Sequence, residues 1–84
     1  MKYQVLILRR AQKFLEKISD PDYRKIKTAI AGLAEVPRPQ GCKKLSGREG
    51  WRIRIGNYRV LYEINDKELI VLVVDVGHRR EIYR

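Results

Sequence analysis

Trp51-Arg52-Ile53-Arg54-Ile55-Gly56-Asn57-Tyr58-Arg59-Val60-Leu61-Tyr62 is the stretch that decides the fold. Apolar and charged residues alternate with a period of two before Gly56-Asn57, and that dipeptide is a signal for a two-residue hairpin turn. With those two residues as the whole loop, Ile55 faces Tyr58, Arg54 faces Arg59, Ile53 faces Val60, Arg52 faces Leu61 and Trp51 faces Tyr62. Every large apolar residue of the hairpin except Leu61 then shares one face. Arg52, Arg54 and Arg59 share the other. Slipping the pairing by one residue would spoil both patterns at once, so the register is well specified.

Downstream, 65–68 is a polar turn, and Leu69 to Val76 is a nearly continuous apolar run closed by Gly77. Such a run suits a strand well inside a sheet. Pairing Ile64 with Leu69 would send Ile70, Leu72 and Val74 to the arginine face beside Leu61. Upstream, Lys2 to Leu8 reads as a strand rich in β-branched residues. Ala11, Phe14, Leu15 and Ile18 fall on one helical stripe, which predicts a helix over 9–18. Asp20 is a suitable N-cap and Pro21 a suitable first residue for a second helix. Its stripe is Tyr23, Ile26, Ile30 and Leu33, and Pro37 and Pro39 end it at Val36. A loop rich in Lys, Gly and Pro fills 38–50. The order β-α-α-β-β-β predicts an α+β two-layer domain: a helix hairpin packed on one face of a four-stranded antiparallel sheet.

The chain has 84 residues, which is one domain over 1–84 with one core. Lys and Arg number 19 against 10 acids, a net charge of +9, while a hydrophobic content of 44% supports a packed interior. One Cys and one His exclude an internal disulfide framework and zinc-finger spacing. No apolar run approaches the ~18 residues of a membrane span. Val5-Leu6-Ile7-Leu8, closed by Arg9-Arg10, is too short for a signal peptide. The expectation is a cytoplasmic protein, away from membranes, whose partner is a polyanion, most simply nucleic acid.

Arg54 directly across from Arg59 is a like-charge pair, which costs stability. An anion held between the two guanidinium groups would offset that cost. Lys43, Lys44 and Arg48 in the adjoining loop fit phosphate tracking without base reading. His78, at a strand end before Arg79, is a candidate acid–base group. Tyr83 either packs under the sheet edge or presents its hydroxyl at the arginine face. Trp51 lies on the core face, so it packs and does not stack on bases. Cys42 has no partner base and is given no catalytic role. No carboxylate cluster of the kind that holds Mg²⁺ is visible, so no metal or other cofactor is expected.

Leu45-Ser46-Gly47, Trp51 to Arg54, Gly56 to Tyr62, Val76-Gly77-His78-Arg79 and Ile82-Tyr83-Arg84 together resemble the RelE/ParE toxin superfamily of toxin–antitoxin modules. The resemblance spans nearly the whole chain. It implies a RelE-like endoribonuclease that cuts mRNA in the ribosomal A site, among ribosomal RNA, a reading that Arg54 with Arg59, plus His78 and Tyr83, favours; the alternative is a ParE-like, non-enzymatic inhibitor of DNA gyrase. It also implies a cognate antitoxin, a protein with an amphipathic helix and acidic residues. The RelE branch has basic residues at the positions of Arg52 and Arg54, arginines at those of Arg59 and Arg79, and a tyrosine at that of Tyr83. Relatives carry Lys where this chain has Arg52 and Arg54. Arginine does not lose its proton near neutrality, so these two can stabilise charge but are poor bases. The base is left open: His78, Tyr83 with its pKa lowered by neighbouring arginines, or none. The implied reaction is metal-independent transesterification by the RNA 2′-hydroxyl.

Overall fold

The computed structural model describes residues 2–78. Seven elements follow in chain order: β1 (Gln4–Ile7), α1 (Arg9–Glu16), α2 (Asp22–Gly32), β2 (Lys43–Lys44), β3 (Trp51–Ile55), β4 (Tyr58–Asn65) and β5 (Ile70–His78). Both helical stripes face the sheet. Ala11, Leu15, Ile26, Ile30 and Leu33 are buried with Ile53, Val60, Tyr62, Val71, Val73 and Val76 in one core. The helix ends differ from expectation by local hydrogen bonding. After Glu16 the amides of Lys17 and Ile18 donate to Phe14 and Leu15, three residues back, so the last turn tightens. The same tightening carries the chain from Gly32 to Glu35. Asp20 does not cap α2. Its carboxylate takes the Arg24 guanidinium at 3.4 Å, Pro21 occupies the cap position and the helix starts at Asp22.

The sheet has five strands in the order β1-β5-β4-β3-β2, one more than expected, and it is mixed. β1 lies parallel to β5, with Leu6 beside Leu72 and Ile7 beside Val73. The antiparallel expectation assumed that the two helices would return the chain to the end of the sheet where β1 finishes. They do not. α1 stays at that end, where Phe14 meets Tyr58 at the start of β4, so only α2 runs back along the sheet. α2 then finishes where β1 begins, with the Tyr3 amide donating to Ala34 O at 2.7 Å. The helix pair is therefore a crossover, and β3 runs in the same direction as β1. The additional strand is β2, whose two residues pair with Arg52 and Trp51. Two lysines carry no strand signal of their own; β3 recruits them.

The β3–β4 register is as the sequence predicts, from Trp51 opposite Tyr62 to Ile55 opposite Tyr58. The β4–β5 register is not. Ile64 faces Val71 instead of Leu69, because Asn65 pairs with Ile70 and the turn is 66–69, with Leu69 at φ 55°, and a bulge then interrupts the ladder between Leu61 and Tyr62. Gly50 sets the start of β3. Its φ is +121°, and a Cβ there would stand 3.0 Å from the Tyr62 carbonyl oxygen and 3.2 Å from Leu45 Cδ1. Only glycine lets the chain turn this tightly against β4.

Candidate nucleic-acid interface

The sheet has a helix side and an outer side, and residues paired directly across strands share a side. Arg54 stands opposite Arg59, and Arg59 opposite Gly77. One row along, Lys43, Arg52, Leu61 and Asp75 follow one another across four strands. Arg52, Arg54, Arg59 and Lys43 thus meet on the outer side. Arg54 is exposed and Arg52 half-buried, but Arg59 is only 6% exposed. Gly77 places no side chain next to it. Beside β2 a cleft of about 320 Å³ is lined by Gln40, Gly41, Lys43, Arg52, Ile53 and Arg54. Forked donors around such a cleft suit phosphate oxygens. Among the described residues no three His, Cys, Asp or Glu side chains gather as a metal site.

Other expected site residues lie elsewhere. Lys44 belongs to the helix-side row with Trp51, Tyr62 and Val73, and its ammonium sits 5.5 Å from the centre of the Trp51 ring. Arg38 lies over the same ring at 5.1 Å, so Trp51 packs and also holds two cations. Arg48 is exposed in the turn before Gly50. His78 pairs with Tyr58, which puts it on the helix side and away from Arg54 and Arg59. Its ring meets Tyr58 edge-on at 5.7 Å. Arg79 and Tyr83 lie outside the described residues.

The apolar part of the outer side is also rearranged. Ile70 and Leu72 are half-buried there, opposite Asn65 and Glu63, but Val74 falls in the bulge, with no partner of its own on β4. Val74 and Leu61 are both buried, at 7% and 3% exposure. Leu6, beside Leu72, is exposed at 41%, and Leu8 just beyond β1 at 40%. Asp75 takes the outward place expected of Val74. No alternation in the sequence shows this, because a bulge changes which residues point outward without changing their order.

Polar contacts fix the lower end of the sheet. Arg38 donates from both terminal nitrogens to the Asp66 carboxylate, at 3.3 and 2.9 Å, and the Tyr3 hydroxyl donates to the same carboxylate at 2.6 Å. Bonds from Arg38, then Tyr3, hold the Asp66 carboxyl below its ordinary value. The bond to Asp66 raises the Tyr3 phenol. The Tyr62 hydroxyl donates to Pro37 O at 2.7 Å, and burial pushes this phenol well above the tyrosine range. These bonds anchor the segment after α2 to β4 and so place the cleft beside β2.

Comparison with known proteins agrees with this geometry. Residues 5–83 match the family of ParE toxins of the type II toxin–antitoxin system, parDE. A protein of Methanocaldococcus jannaschii assigned as toxin RelE1 is 31% identical, over all of this chain and 98% of its own. The RelE–RelB complex of Pyrococcus horikoshii contains a chain that superposes with a TM-score of 0.85 at 28% identity, covering 96% of this chain and 99% of that one. A two-arginine variant of Escherichia coli RelE in the free state gives 0.80 at 27% identity, covering 99% and 92%. With a helix pair on a five-stranded mixed sheet and a family match along almost its whole length, the chain belongs to the RelE/ParE family and is the toxin of a toxin–antitoxin module.

Proposed function

We propose that this toxin is a ribosome-dependent endoribonuclease that cuts mRNA by 2′-hydroxyl transesterification without a metal ion, and so stops translation. The observation that carries this reading is the buried Arg59 directly across from Arg54, with Arg52 on the same side. Like charges directly opposite each other repel. A dianionic phosphorane between them gains charge and forked hydrogen bonds on both flanks. Lys43 and the cleft beside β2 suit the flanking RNA backbone, and Arg48 extends the basic surface. Arg79 and Tyr83 enter through the family resemblance, whereas the place of His78 on the helix side argues for a part outside the reaction centre. In the cell a protein antitoxin would restrain the activity, as RelB accompanies RelE in the Pyrococcus complex. The match to ParE toxins favours a second reading, non-enzymatic inhibition of DNA gyrase. One experiment separates them. Purified toxin is added to a translating extract, cut sites are mapped by primer extension, and gyrase supercoiling is assayed in parallel. Cuts with 2′,3′-cyclic phosphate ends in translated mRNA are expected. Intact mRNA together with blocked supercoiling would establish the gyrase reading instead.

A further inference from the structure

Asp75 owes its position to the bulge. Beyond Tyr62 opposite Val73, an unbroken ladder would set Val74 opposite Leu61 and Asp75 opposite Val60, which is fully buried in the core. The extra residue, Val74, turns the carboxylate outward instead, opposite Leu61 and in the row of Arg52 and Lys43. Bulges frequently re-aim a side chain beside a functional site. This one is held from the segment that joins β1 to α1: Arg10 Nε donates to Val74 O at 3.0 Å, and the Leu8 amide donates to Val73 O at 2.9 Å. Asp75 is half-buried and lies two residues along the strand from Gly77, the partner of Arg59, a displacement of roughly 7 Å. The charged residues on the same side of the sheet are Arg59 and Glu63 on β4, Arg52 and Arg54 on β3 and Lys43 on β2, and Arg10 at the start of α1 reaches the adjoining Val74 carbonyl. Neither Arg52 nor Arg54 can accept a proton near neutrality, and His78 is on the other side of the sheet.

We infer that Asp75 is the proton acceptor for the attacking RNA 2′-hydroxyl, an inference that rests on the nuclease reading. The 2′-oxygen gives its proton to the Asp75 carboxylate and bonds to phosphorus. The bond from phosphorus to the 5′-oxygen breaks, that oxygen takes a proton from water, and Asp75 returns its own proton to solvent. The arginines hold the phosphorane charge throughout.

The test uses the whole toxin in a translating extract, with Asp75→Asn, Asp75→Glu and wild type compared. Asparagine keeps the shape and removes the acceptor. Cleavage should fall by ~10²–10⁴-fold in Asp75→Asn, with the acid limb of the pH–rate profile lost. Ribosome binding and the circular dichroism spectrum should be unchanged, and glutamate should restore part of the rate. Cleavage by Asp75→Asn within threefold of wild type, or a retained acid limb, overturns the inference while the nuclease reading stands. Absence of cleavage by wild type overturns both.

Discussion

Arg59 lies between Arg54 on β3 and Gly77 on β5, and burial changes what its removal should do. On an open charged face, deleting one of two facing arginines would relieve repulsion and hold or raise stability. Here the aliphatic stem of Arg59 is packed, so truncation also removes contacts. Arg59→Ala should lower cleavage by ~10²–10³-fold, the usual loss for one charge-stabilising donor. It should also lower stability by ~1–3 kcal/mol. Arg59→Met, which keeps most of the stem, should lose the same activity and recover most of the stability. Urea unfolding and the translation assay check the two effects separately. Equal activity in wild type and Arg59→Met would remove this residue from the reaction. His78 shows the limit of reading residues singly. Its place after Gly77 suggested chemistry, and its pairing with Tyr58 turns it toward Phe14 and the helices instead.

At the scale of elements, the connection from α2 to β2 is secured to the β4–β5 turn through Asp66. The Asp66 carboxyl titrates below its unfolded value, because Arg38 and then Tyr3 bond its ionised form. Its contribution is therefore complete above the ordinary aspartate value of ~3.9 and is lost as pH falls through the lower, folded value. Tyr3 is the reverse case. Its phenol is raised by the bond to Asp66, so that contribution is present below ~10 and is lost as pH rises through the higher, folded value. Asp66→Asn should lower stability slightly near pH 7, where both contributions are present but exposed contacts are worth little, and the difference from wild type should shrink toward both ends. Urea midpoints measured from pH 3 to 11 test this. Parallel curves for variant and wild type would show that the contact carries no linkage.

For the whole molecule, the outer side of the sheet combines arginines on β3 and β4 with an apolar margin on β1 and β5. The helices cover only the other side. A partner that neutralises this toxin should meet both parts, with acids toward Arg52 and Arg54 and apolar side chains toward Leu6 and Leu72. Leu6 is the sensitive position, being 41% exposed beside half-buried Leu72. Leu6→Asp should leave the fold intact and weaken a co-expressed antitoxin complex at least ~10-fold, since burying a leucine is worth about 1.5–3 kcal/mol. Calorimetric titration of purified antitoxin into toxin measures it. Unchanged affinity would place the antitoxin away from this margin.

What the sequence determined by itself was local. The Gly56-Asn57 turn and the strict alternation around it set the β3–β4 register and brought Arg52, Arg54 and Arg59 to one side. The helical stripes chose the core positions, as Ala11, Leu15, Ile26, Ile30 and Leu33 show. Only the tertiary structure decided the path of the helix pair, which made β1 parallel to β5, because a strand's direction depends on where a crossover delivers it. Only pairing with β3 made a strand of Lys43-Lys44 and separated Lys44 from the arginines. The bulge at Val74 is bonded by an arginine 64 residues away and exchanges a valine for Asp75 on the outer side. Periodicity describes a strand's neighbours along the chain, whereas a bulge is set by neighbours across it.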